Sequence, residues 1–152
     1  MQILIIRHGE PEYHTDSLAE KGRREDELLS AGRSKMKVDA FFTSPLIRAR
    51  DAVQVTLRRM NRGAETLDWL HEFRGKRVNP KDGNLDCTWN FMPQYWTLCP
   101  EFGDFYAWTQ NPLISTGNSA KIYSETATGP DALLARYGYQ RIGALYRTEH
   151  KL

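Results

Sequence analysis

The sequence is poor in cysteine: Cys87 and Cys99 stand twelve apart with neither a CxxC pair nor a histidine cluster beside them. That excludes a disulfide framework and a structural zinc site, and leaves two reduced, semi-buried thiols as the expectation. Long hydrophobic runs are absent as well. A stretch such as Ile3–Ile6 is far too short to cross a bilayer, so no membrane role is expected. No excess of charge of one sign exists, since 21 Lys and Arg face 19 Asp and Glu for a formal +2. A balance so near zero gives no general field toward nucleic acid or membrane. The first residues carry no basic leader or small-residue cleavage site, which points to the cytoplasm. No HExxH motif or carboxylate cluster with ligand spacing occurs, so neither a metal nor another cofactor is expected.

What is present reads as one domain over residues 1–152, with 40% hydrophobic and 11% aromatic residues arguing against disorder. Ile3–Ile6, an apolar run ending abruptly in charge, predicts a strand covered on both faces. Ser17 followed by Glu20 has the form of a capping box, predicting a helix over Leu18–Lys35 with Leu18, Leu28 and Leu29 facing inward. Val38–Thr43 predicts a second strand. Ser44-Pro45 then opens a second helix, Ser44 as cap and Pro45 at its first position, with Leu46, Ala49, Val53, Thr56 or Leu57, and Met60 on the packed face. A short third strand is expected near Thr66–Trp69. This order predicts an α/β fold with crossovers and a parallel sheet. Residues 74–125 break the pattern with Pro80, Pro93, Pro100 and Pro112 among many aromatics, which reads as an ordered insertion with short helices. Pro130 is expected to open a last helical stretch, interrupted at Gly138 and resumed through Ile142 and Leu145.

Two segments carry chemistry, both where a parallel sheet places its ligands, beyond the carboxyl ends of strands. In Arg7-His8-Gly9-Glu10 the arginine offers a fork for phosphate oxygens, the imidazole is a competent phosphoryl acceptor, and Gly9 allows close backbone approach. In Thr43-Ser44-Pro45-Leu46-Ile47-Arg48 a helix start presents unpaired N–H groups and a partial positive charge, and Arg48 leans back over that end. Position and charge converge on phosphate.

Arg-His-Gly-Glu, then Leu18-Ala19-Glu20-Lys21-Gly22, then Ser-Pro-x-x-Arg-Ala, resembles the pattern of the histidine phosphatase superfamily, phosphoglycerate mutase-like. The resemblance implies a three-layer α/β/α fold with a mostly parallel sheet, His8 as nucleophile and Arg7 and Arg48 as a phosphate clamp, with Gly9 and Ser44 at the substrate. Leu70-His71-Glu72-Phe73-Arg74-Gly75 resembles the segment holding the general acid, which implies Glu72, with His71 as competing donor. The family's second histidine, followed by Gly after a later strand, has no counterpart: His14, His71 and His150 precede Thr15, Glu72 and Lys151. The expectation is an incomplete domain whose C-terminal strand and helices are missing. The strand lacking would lie beside Ile3–Ile6, so the exposed edge should lower solubility or form a homodimer. Losing one positioned donor should cost about 3 kcal/mol, roughly a hundredfold in rate.

The function expected is a phosphomonoester hydrolase acting on a small phosphorylated substrate, hydrolysis being favoured over mutase chemistry because no pocket for a second phosphate is recognisable. The alternative is a catalytically silent phosphate-ligand binding protein that keeps the clamp. Nucleic-acid binding through Arg58, Arg59 and Arg62 is a third, weaker reading, since arginines at that spacing usually form a solvated helix face.

Overall fold

The computed structural model describes residues 1–90 and 93–149, the Tyr95 side chain excepted; Phe91 of the aromatic segment and His150 lie outside the described residues. The chain divides into two units, Met1–His71 and Glu72–Leu152. Helices and short strands are interspersed along both, an α/β composition.

In the first unit, β1 (Pro11–Glu12) pairs antiparallel with β2 (Ser17–Leu18), Pro11 opposite Leu18 and Glu12 opposite Ser17. Helix α1 (Glu20–Arg33) follows, then β3 (Phe42–Thr43), helix α2 (Ile47–Met60) and β4 (Glu65–Thr66). β3 and β4 run parallel with α2 between them, so a βαβ unit forms where the sequence predicts one. Asn61 ends α2 in the left-handed conformation at φ 51°, which Asn tolerates better than most residues. The broad parallel sheet expected is represented by this one pair, the other ladders among the described residues being antiparallel.

Ile3–Ile6 departs from expectation. It joins no ladder among the described residues, and its side chains are 63%, 60%, 91% and 43% exposed. An apolar run becomes a buried strand only where neighbours take its backbone hydrogen bonds and cover its faces, and the described residues provide neither. The capping box also fails to form. Ser17 is drawn into β2, and Ala19 caps α1 without a side-chain bond.

Helix α1 turns a different face inward from the one predicted, and α2 does so in part. α1 buries Gly22, Asp26 and Ser30, leaving Leu28 79% and Leu29 46% exposed. The cause is a close backbone approach: a Cβ on Gly22 would lie 2.2 Å from the carbonyl oxygen of Glu10 and 2.7 Å from its nitrogen. Only glycine lets the chain after His8 rest on α1, and that contact fixes which way the helix rolls. α2 buries Thr56 and Leu57 as predicted, but Arg48 and Ala52 take the most buried places ahead of Leu46, Ala49, Val53 and Met60, which are half-buried, so Arg48 is carried into the interior. The helices pack on one another, tied by the Arg59–Glu27 pair at 2.6 Å and Arg23–Asp51 at 3.6 Å.

The second unit opens with a hairpin of β5 (Lys76–Val78) and β6 (Leu85–Cys87). Short helices follow, α3 (Pro93–Leu98) and 3₁₀ turns at Pro100–Gly103 and Trp108–Gln110, as the aromatic insertion implies. Phe73, Trp89, Trp96, Phe102, Phe105 and Trp108 line an open cavity of about 330 Å³. Helix α4 (Ser119–Ala135) begins well before Pro130, which sits inside it. Its start is pinned to the hairpin: Lys76 N–H donates to Asn118 Oδ1 at 2.8 Å, and Ser119 Oγ donates to Lys76 O at 2.9 Å. That anchor outweighs the one hydrogen bond a proline removes. After Gly138, at φ 78°, the chain forms a hairpin of β7 (Tyr139–Ile142) and β8 (Leu145–Thr148) where more helix was expected. Gly143 at φ 62° supplies the two-residue turn. Cys87 and Cys99 are unpaired and half-buried.

Glycine inside a helix normally costs about 1 kcal/mol against alanine, so Gly22→Ala would ordinarily stabilise α1. Here the added Cβ meets backbone, and the variant should lose about 1–3 kcal/mol in urea unfolding. A gain in stability would refute the approach of Glu10 to the helix.

Candidate functional site

His8 is half-buried, and two contacts settle its tautomer. Nδ1 lies 2.7 Å from the carbonyl oxygen of Gly9, which can only accept, so Nδ1 carries the proton. Arg48 Nε–H donates to Nε2 at 3.2 Å, so Nε2 presents its lone pair. A neutral ring with Nε2 unprotonated is the form in which an imidazole acts as nucleophile.

Arg48 reaches His8 because of how α2 begins. Thr43 is buried at the end of β3, and Ser44 Oγ accepts the N–H of Leu46 at 3.3 Å. Ser44 is therefore not the helix cap predicted: Leu46 holds the cap position without a side-chain bond, the first helical residue is Ile47, two past Pro45, and Ser44 Oγ bonds only the turn before it. One helical step then places Arg48 on the inward stripe, 8% exposed. The Tyr13 ring lies 5.8 Å from its guanidinium carbon, within reach of a cation–π contact.

Asp16 completes the cluster, and the sequence reading did not single it out. Its Oδ2 accepts the N–H of Ile47 at 2.8 Å, and its Oδ1 accepts from Arg48 Nη1. The residue adopts φ 50° at the end of the β1–β2 loop. Left-handed backbone is enriched in Asp and Asn, so an Asp in a short polar turn is the signal available in the sequence, and nothing there ties it to the start of α2, 31 residues on.

Gly9 also has a role other than the one expected. A Cβ there would sit 2.5 Å from the carbonyl oxygen of Gly22, so its missing side chain serves packing on α1. Beneath it, Asp26 is 2% exposed, with the Gly9 N–H donating to its carboxylate and Oδ2 unpartnered. Burial pushes the Asp26 carboxyl above its ordinary range, opposed by the Gly9 N–H and by the charge of Arg33.

Arg7 is exposed and makes no hydrogen bond or ion pair among the described residues. Glu72 is exposed and belongs to the second unit. The structure thus gathers His8, Gly9, Ser44 and Arg48, and adds Asp16. Of the arginines weighed for nucleic acid, Arg59 pairs with Glu27, and Arg62 donates to the carbonyls of Val38 and Asp39 at 3.2 and 2.7 Å.

Comparison with known proteins adds a family and a fold. The model of the histidine phosphatase superfamily (branch 1) matches residues 3–81, which include every residue of this cluster. A search of curated proteins finds no match. Among solved structures the chain is similar to "Mycobacterial hydrolase 1", with a TM-score of 0.51 and 18% identity over 86% of this chain. The likeness is one of fold, and the chain spans 64% of that protein's length.

Burial of Asp26 favours its neutral form, so its contribution to stability is present below the ordinary carboxylate range and lost as pH rises through the raised value. Asp26→Asn should gain stability relative to the unsubstituted chain as pH rises from the ordinary carboxylate range upward. Urea midpoints measured in steps of rising pH check it, and a difference that stays flat would contradict the burial.

Proposed function

Because the chain belongs to the histidine phosphatase superfamily, branch 1, we propose that it is a metal-independent phosphomonoester hydrolase working through a phosphohistidine on His8. The observation that carries this is the unprotonated Nε2 of a neutral His8 ring held 3.2 Å from the Arg48 Nε. Nε2 attacks phosphorus in line, the bond to the leaving oxygen breaks, and Glu72 gives that oxygen its proton. Water then attacks the phosphohistidine, Glu72 takes back a proton, the P–N bond breaks, and phosphate leaves with Nε2 restored. Arg48 and Arg7 hold the equatorial oxygens. The assignment of Glu72 rests on its place in Leu70–Gly75, within the matched residues.

The finer fold follows the family: a three-layer α/β/α domain whose sheet is mostly parallel. No second His-Gly pair occurs in the sequence, so turnover by this chain alone is expected to be weak. The substrate is a small phosphorylated molecule and the setting cytoplasmic. A second copy is the expected partner, through the exposed Ile3–Ile6 segment.

A second reading is a silent phosphate binder that keeps the Arg7, His8 and Arg48 clamp without completing turnover. It is favoured by one observation: the sequence holds no second His-Gly pair to donate to the transferring group.

Incubation with a labelled, reactive phosphomonoester followed by quenching separates the readings. Acid-labile label on the chain, abolished by His8→Ala, supports the enzyme; phosphate binding with no label supports the silent form. Equal labelling of His8→Ala would eliminate His8 as nucleophile. Ile5→Lys should shift sedimentation toward monomer, because a charge in an apolar edge opposes strand pairing. An unchanged distribution would remove Ile3–Ile6 as the contact.

A further inference from the structure

We propose that Asp16 is a positioning residue whose carboxylate, fixed on the Ile47 amide, aims the Arg48 guanidinium at Nε2 of His8. The claim deepens the reading of this site given above and rests on it wherever the phosphoryl group is concerned.

A guanidinium 8% exposed cannot stand without a counter-charge, because its lost hydration has to be replaced by hydrogen bonds and an opposing ion. Asp16 supplies both to Arg48. Its own freedom is removed by the second contact, since Oδ2 is bonded to the Ile47 N–H at 2.8 Å, one of the amides left unpaired at the start of α2. A carboxylate held at two points is a fixed anchor. Once one terminal nitrogen of Arg48 is tied to it, the planar fork has few remaining orientations, and in the one adopted Nε–H meets His8 across 40 residues of sequence.

The backbone supports the same role. Asp16 sits at φ 50°, where only Gly, Asn and Asp are accommodated at little cost, and the β1–β2 pairing holds the loop in place. Tyr13, from the same loop, lies against the guanidinium at 5.8 Å. The alternative role is a plug, an internal anion competing with phosphate. The geometry argues for the anchor: carboxylate and imidazole are taken by different nitrogens of one guanidinium, so Asp16 does not come between Arg48 and His8. When a phosphoryl group arrives, Nε–H has to leave the Nε2 lone pair that attacks phosphorus. With Nη1 still tied to Asp16, the guanidinium stays beside Nε2 and turns its Nε–H to a phosphoryl oxygen with little reorganisation.

The test uses the full chain and its Asp16→Asn, Asp16→Ala and Asp16→Glu variants. The first readout needs no ligand: solvent exchange of the Arg48 Nε proton by nuclear magnetic resonance, the signal being assigned by its loss in Arg48→Lys. Exchange should be faster by about tenfold or more in Asp16→Asn and Asp16→Ala, and partly restored toward the unsubstituted rate in Asp16→Glu. Asp16→Asn, nearly isosteric, guards against loss of the fold, and circular dichroism confirms that each variant is folded. The second readout is the affinity for orthovanadate, which should fall by about tenfold to a hundredfold in Asp16→Asn. Unchanged exchange in the folded variants overturns the proposal. So does tighter vanadate binding by Asp16→Ala, which would make Asp16 the plug. If the unsubstituted chain binds no vanadate and takes no label on His8 while exchange still responds to Asp16, the hydrolase reading fails and the anchor stands.

Discussion

The 3.2 Å contact between Arg48 and His8 joins residues 40 apart, and it exists only because three local arrangements agree. The first is the approach of Glu10 to Gly22, which seats the segment after His8 on α1 through a space that any side chain would fill. The second is the start of α2, where β3 ends at a buried Thr43 and the helix begins so that Arg48 falls on its inward stripe. The third is the β1–β2 loop, which delivers Asp16 to the same point in a left-handed conformation. Each is a steric or electrostatic requirement on one or two residues. Together they convert an ordinary helix-start anion site into one that includes a neutral imidazole.

His8 and Arg48 were legible from sequence because residue type and position point the same way: an imidazole and a guanidinium are chemically apt, and both follow predicted strands. The βαβ order of β3, α2 and β4 was legible for a similar reason, since Ser44-Pro45 punctuates it. Asp16 was not, being one of 19 acidic residues, and its role depends on a contact 31 residues away with the Ile47 amide. The face of α1 departs from expectation for a different reason. Counting apolar residues selects Leu28 and Leu29 for the interior of α1, but the fit of backbone against Gly22 decides the roll and leaves both exposed. Hydrophobic spacing loses to sterics wherever a glycine permits direct backbone contact. Pro130 misled for a comparable reason, because the tie between Lys76 and the Asn118–Ser119 pair starts α4 upstream of it.

The interior of the first unit bears on how firmly this site is held. Its buried side chains are largely polar, with Asp26, Ser30, Thr43, Arg48 and Thr56 beside only Leu18, Ala52 and Leu57 among the described residues. Such an interior is directional: hydrogen bonds fix angles, as the tautomer of His8 and the orientation of Arg48 require, whereas apolar packing alone would tolerate a rotated ring. The same interior is weakly driven, because burial of apolar surface is the dominant favourable term in folding and little of it is buried here. Asp26 adds to the cost, with one carboxylate oxygen unpartnered.

Ile3–Ile6 is where that deficit meets the chemistry. The largest unused apolar surface of the first unit lies in the segment leading directly into Arg7 and His8, and its side chains are 43–91% exposed. Pairing of this run with another strand would bury apolar area and take up its backbone hydrogen bonds at once. It would also restrain the segment from which His8 projects, whose ring is otherwise held by Gly9, Arg48 and the packing of Gly9 on α1. Arg7, the residue between the run and His8, makes no bond of its own among the described residues and would be restrained with it. Covering the edge and ordering Arg7 and His8 are therefore coupled: any strand that paired with Ile3–Ile6 would stabilise the fold through the residues that orient His8.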